Sequence, residues 1–208
     1  MDIFSRMPEG FSSVTDEESY QLTLLTLCLA FGDNHYPIPS IPTDHETSIK
    51  TWHDFCKPVF DHSLKYGKVF TNEDYTACMC LTEMGNTAEV DVEDLYNKSK
   101  TYMSEECALN QKRILERMGE LESKIEYKPG DIFVELFAVV TQMQRKKLGS
   151  KLMRALFEEC DKKKKDIFLV TSTERNFDMY RHFGFEPIVR DFLKEEYALT
   201  YILVRRHK

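Results

Sequence analysis

An α/β domain with strands and helices around one core is the fold class that this sequence predicts, on three observations. Ile132 to Val139 (IFVELFAV) is an unbroken aliphatic and aromatic run, the mark of a strand buried on both faces. It leads within a few residues into a helical pattern in which Leu148, Leu152, Ala155 and Leu156 recur at spacings of three and four. Further strand-like runs, Asp166 to Ser172 (DIFLVTS) and Ala198 to Val204 (ALTYILV), are separated by helical or turn-rich stretches. At 208 residues the chain is long enough to bury a sizeable core, and a single domain over 1–208 is expected.

In chain order, Phe11 to Val14 is short and β-prone and gives the first strand. Thr15-Asp16-Glu17-Glu18 reads as a capping box opening a helix through Leu22, Leu25 and Leu29 that ends near Gly32. Asp33 to Pro42, with three prolines, is a loop. Thr43-Asp44-His45-Glu46 is a second capping box; the helix after it carries Trp52 and Phe55 on its apolar side and is expected to kink or end at Pro58. Lys68 to Asn72 and Tyr75 to Met84 form a hairpin with its turn at Asn72-Glu73-Asp74. Residues 90–127 then form a long helical tract, weakly broken at Gly119, whose apolar face includes Leu109, Ile114, Leu115, Met118, Leu121 and Ile125. Lys128-Pro129-Gly130 ends it. Glu186 to Val189 and Ala198 to Val204 make a closing antiparallel hairpin.

Composition excludes several classes. The formal net charge of -7 argues against nucleic acid as a partner and is compatible with a cationic substrate. No apolar run reaches the roughly 20 residues that a membrane span needs, and the N-terminus has no secretory pattern. Six scattered cysteines suit a reducing cytoplasm better than a disulfide framework; Cys78 and Cys80, two apart on one strand face, read as buried core, and no metal site is expected.

A buried strand that turns straight into a helix aims that helix's free N–H groups and positive dipole end at the strand's end, where phosphate binds readily. Here Phe137-Ala138-Val139 is followed by Gln144-Arg145-Lys146-Lys147-Leu148-Gly149-Ser150, and about 30 residues on comes Tyr180-Arg181-His182-Phe183-Gly184-Phe185. This resembles the GCN5-related N-acetyltransferase (GNAT) superfamily, whose strand ends Leu-Ala-Val, whose helix opens on Gln/Arg-x-x-Gly-x-Gly/Ala, and which has a later Tyr-x-x-x-Gly-Phe. Lys147 stands where the family usually has its first glycine, and Arg145 where a second is common. The resemblance covers residues 131–205. It implies a mixed, mostly antiparallel twisted sheet flanked by helices, with the 90–127 tract as an insertion before the signature strand.

The resemblance also implies acetyl-CoA as the acyl donor, direct transfer to a primary amine, and roles for particular residues. Phe137, Ala138, Val139, Gln144, Arg145, Lys146, Lys147, Leu148, Gly149, Ser150, Asn176 and Tyr180 would hold the cofactor. The Val139 N–H would polarise the thioester carbonyl, a contribution on the order of 3 kcal/mol, and Tyr180 would protonate the leaving thiolate. Glu135 is the expected base: a carboxylate in an apolar strand is costly unless paired or functional, and burial raises its pKa toward neutrality. Strand alternation puts it on one face with Phe133 and Phe137, opposite Val134 and Leu136. His35 and Tyr36, in the loop after the first helix, are candidates for the acceptor pocket. A small amine is the expected acceptor, with protein N-termini or lysines, or a non-catalytic CoA-binding module using the helical tract for protein contacts, as alternatives. A homodimer through that tract is also open.

Overall fold

The computed structural model describes residues 8–33, 44–194 and 197–208, and for residues 192–194 and 197–199 the backbone only. His35 and Tyr36 lie outside the described residues. In chain order the elements are β1 (Phe11–Ser13), α1 (Glu17–Asp33), α2 (His45–Tyr66), β2 (Lys68–Asn72), β3 (Ala77–Glu83), α3 (Val92–Ser99), α4 (Glu105–Glu122), β4 (Ile132–Val139), α5 (Leu148–Lys163), β5 (Ile167–Thr171), α6 (Glu174–His182), β6 (Glu186–Lys194) and β7 (Tyr197–Arg205). The strands form one sheet in the order β1-β2-β3-β4-β5-β7-β6. Among the described strands only β4 and β5 run parallel.

Three expectations are corrected. Residues 90–127 are two helices, α3 and α4, divided at Lys100 to Met103, because Ser104 caps α4 by accepting from the Cys107 N–H. Gly119 lies inside α4 without breaking it. Of the two outcomes expected at Pro58, a kink or an end, the end does not occur, since α2 runs on to Tyr66: the proline is solvent-exposed, so the carbonyl it leaves unpaired can be hydrated, while Val59, Phe60 and Ser63 beyond it are buried. The N-cap at each predicted box is the aspartate. Asp16 accepts from Ser19 N–H at 2.8 Å and Asp44 from Thr47 N–H at 2.9 Å.

The alternation along β4 is also interrupted. Cys80 pairs with Leu136 but Leu81 with Val134, so a β-bulge at Glu135 inserts an extra residue and reverses the inward–outward parity. Val134 and Phe137 therefore both face α5, joining Leu152, Leu156 and Phe157 in the largest core cluster. Leu136 and Ala138 face the other way, against Leu27, Cys56 and Phe60 of α1 and α2. Phe133 packs with Leu121 and Ile125 at the end of α4. Phe133 and Phe137 thus lie on opposite faces, contrary to simple alternation. Five of the six cysteines are buried, and none is in a disulfide. No helix among the described residues is long and apolar enough to cross a membrane.

Candidate active site

The bulge in β4 opens the site. β4 pairs with β5 only at Ile132 to Val134 against Ile167 to Leu169; beyond that the strands part, although β4 continues to Val139. Among the described residues, the main-chain groups of β4 on that side have no strand to bond. Val140 N–H donates to Thr76 O at 2.9 Å, so Val140 faces Thr76 as a hydrogen-bonded pair and Val139, one residue back, presents its N–H and C=O away from β3. The Gln144 side chain confirms the direction, its Nε2 reaching the Val139 carbonyl at 3.3 Å.

Next to this gap stands the start of α5. Asp16, Asp44, Asp91, Ser104 and Thr173 each give a side-chain cap at the start of the other five helices. At α5 the N-cap is Lys147, with no side-chain cap, and the first main-chain bond into the helix is Lys151 N–H to Lys147 O at 2.9 Å. The N–H groups of Leu148, Gly149 and Ser150 precede that bond and face the strand end. Gly149 permits the close approach: a Cβ there would meet Phe137 Cζ at 3.0 Å and Val139 Cγ2 at 3.4 Å. Lys147 and Arg145 are both left-handed, with φ of 67° and 65°. A helix start ordinarily needs no such backbone, so the absence of glycine matters at both positions. A non-glycine residue in this region costs roughly 1 kcal/mol or more. Lys147→Gly should therefore raise the unfolding free energy by about 0.5–1 kcal/mol in a urea titration, net of glycine's entropy cost; a loss would contradict the strain.

Two cavities meet at the gap. A cleft of about 440 Å³ is lined by Ala138, Val139, Gln144, Arg145, Lys147 to Ser150, Arg175 and Met179 among others. A chamber of about 710 Å³ lies between α2, α4 and the sheet, lined by Trp52, Phe55, Glu122, Tyr127, Phe133 and Glu135 among others. Phe31, Phe137, Asn176 and Tyr180 border both. Phe31 stacks on the buried Trp52 with ring centroids 4.9 Å apart, so this tryptophan is both core and chamber wall.

The Glu135 carboxylate projects into the chamber. Its Oε1 accepts from Thr82 Oγ1 and from Ala88 N–H, both at 2.7 Å. Burial pushes its pKa up to about 7, against the opposing effect of those two hydrogen bonds. The structure also brings in two residues that motif reading missed. Glu122, the last residue of α4, is likewise pushed up to about 7, first by burial and then by the Glu135 charge. Its position between Met118 and Ile125 on the apolar stripe was the available signal. Arg175, which has no sequence signal, donates to Gln144 Oε1 at 3.2 Å and orients that side chain.

The other predicted residues fall as follows. Tyr180 is 7% exposed, edge-on to Phe185 with centroids 5.6 Å apart, and its ring borders both cavities. Asn176 is one turn before it on α6. Lys146 does not line either cavity; its ammonium turns to Met143 Sδ at 3.2 Å. Lys162 and Lys165, at the far end of α5, pair with Glu159 and Glu83 instead of facing the cleft.

The profile of the acetyltransferase (GNAT) domain matches residues 87–200, more than half of the chain. The protein belongs to the GNAT acetyltransferase family. Solved structures agree with this GNAT fold at low sequence identity. Arylalkylamine N-acetyltransferase 2 from Aedes aegypti is 13% identical with a TM-score of 0.62, over 95% of this chain and 98% of that one. A histone acetyltransferase HPA2-related acetyltransferase from Corynebacterium glutamicum is 11% identical with a TM-score of 0.58, over 97% and 98%. An agmatine N-acetyltransferase is 13% identical with a TM-score of 0.58, over 95% and 100%. No curated protein matches this GNAT sequence at a significant level.

Proposed function

We propose that this GNAT acetyltransferase moves an acetyl group from acetyl-CoA directly to a small primary amine. The observation that carries the reading is the meeting of the two cavities where β4 leaves β5, with Glu135 on the chamber side and the uncapped start of α5 on the cleft side. The cleft fits CoA chemically. Free amides at a helix start suit a pyrophosphate, Arg145 and Lys147 line it with positive charge, and Gly149 keeps the approach clear.

When bound, acetyl-CoA supplies an acetyl thioester. The Leu148, Gly149 and Ser150 amides hold its diphosphate, and the outward N–H of Val139 is available to the thioester carbonyl oxygen. Glu135 takes a proton from the acceptor ammonium, so that the free amine can attack; a base with pKa about 7 is half ionised at neutral pH. As the N–C bond forms and the C–S bond breaks, Tyr180 protonates the departing sulfur. The chamber is walled by aromatic rings and carboxylates, and among the described residues no Lys, Arg or His lines it, which favours a small cationic acceptor.

Thermal denaturation with added acetyl-CoA tests the donor. At 100 times the dissociation constant the ligand should add about 2.7 kcal/mol of apparent stability. An unchanged melting temperature at millimolar acetyl-CoA would contradict the reading. A panel of amines assayed by free-thiol release then identifies acceptors.

A further inference from the structure

Besides Glu135 the chamber is lined by carboxylates that the transfer of one acetyl group does not use, and Glu122 is the one on the apolar side of α4. Glu122 closes α4 on its apolar side, between Met118 and Ile125, and all three line the same chamber as Glu135. Among the described residues the Glu122 carboxylate has no hydrogen bond or ion pair, its main-chain carbonyl alone accepting from Ile125 N–H, whereas the Glu135 carboxylate is held by Thr82 and Ala88. Burial and the neighbouring Glu135 charge both oppose its ionised form. A half-buried carboxylate facing another across apolar walls is unfavourable until a cation arrives between or beside them. Among the described residues the chamber wall supplies none: its charged residues there are Glu89, Glu116, Glu122 and Glu135.

Acetyl transfer itself needs the reacting nitrogen to lose its proton, so the group at Glu135 becomes neutral during turnover. A positive charge that stays on the acceptor must sit elsewhere. Building on the acyltransferase reading above, we infer that Glu122 is a specificity-determining residue that binds a second, permanently charged nitrogen, so that the preferred acceptor is a diamine with a hydrocarbon spacer. The spacer would lie along Trp52, Phe55 and Phe133, which line the chamber between the sheet and the helices. The two helices of the 90–127 tract thereby act as the part of the fold that selects the substrate.

The test compares 1,4-diaminobutane and 1,5-diaminopentane with butylamine and pentylamine as acetyl acceptors. The wild-type protein should favour each diamine over its matched monoamine by about tenfold or more in kcat/KM, mainly through KM, the size expected of one charge-assisted hydrogen bond. In Glu122→Gln the ratio should fall to near one. Glu122→Asp keeps the charge but shortens the arm, so it should retain a diamine preference and move the optimum to a longer spacer. No diamine preference in the wild type, or an equal loss for diamines and monoamines in Glu122→Gln, would overturn the proposal; the second result would make Glu122 a proton-relay or structural residue. Calorimetric titration of the protein with 1,5-diaminopentane gives a readout that needs no turnover. Diamine binding weakened by Glu122→Gln supports the inference even if acetyl transfer is absent. Monoamine turnover without diamine binding overturns it and leaves the acyltransferase reading intact.

Discussion

Glu135→Gln should lower kcat/KM for the best amine by about 100-fold or more at pH 8, with acetyl-CoA affinity unchanged, because it removes a general base without altering the cleft at α5. The substitution is nearly isosteric, and an amide can still accept from Thr82 Oγ1 and Ala88 N–H through its carbonyl oxygen. In the wild-type protein kcat/KM should climb with pH and level off above about 7, where Glu135 is ionised. The variant should lack that limb. Stability should move the other way. Because the folded carboxyl holds its proton up to about 7, against an ordinary value of 4.5, the native state binds more protons than the unfolded chain between those values. Stability is therefore full below the unfolded value and falls as pH rises through about 7, and Glu122 adds a second loss in the same window. Glu135→Gln should accordingly be more stable than wild type at pH 8, by on the order of 2–3 kcal/mol as an upper figure. A variant that is both less active and less stable at pH 8 would indicate a structural carboxylate.

Tyr180→Phe is expected to reduce kcat by about 100-fold, with little change in KM for the amine. The ring's packing should survive, since Phe185 meets it edge-on and the surrounding cluster of Leu152, Leu156 and Phe157 is apolar. Loss of the hydroxyl removes the proton for the leaving sulfur. An unchanged melting temperature together with the kinetic loss separates this role from packing. Wild-type turnover in Tyr180→Phe would assign sulfur protonation to another group or to water.

The elements that position this chemistry were readable from letters that carry local physics. The unbroken apolar run at Ile132 to Val139, the turn into α5 and the Tyr180 segment all follow from patterns of burial and spacing. What escaped were features set by tertiary context. A bulge needs no special residue type, so simple alternation misplaced Leu136 and Phe137 relative to Glu135 even though it singled out Glu135 itself. Left-handed backbone at Lys147 and Arg145 is hidden because lysine and arginine do not advertise it as glycine does. Pro58 reads as a breaker because a proline in a helix interior removes a main-chain bond, and the structure places it on the exposed side of α2, where water can take the freed carbonyl. Glu122 is harder to single out, because a carboxylate at a helix end usually marks solvent; its place on the apolar stripe between Met118 and Ile125 is the sequence signal, and the chamber beneath shows what it faces.

A crystal structure of the protein with CoA tests the central claim most directly. The account predicts the diphosphate on the amides of Leu148 to Ser150 and the pantetheine arm in the gap between Leu136 to Val139 and Leu169 to Ser172, with the sulfur near Tyr180. CoA bound elsewhere, or that gap closed by β4 and β5 pairing along their full length, would contradict it.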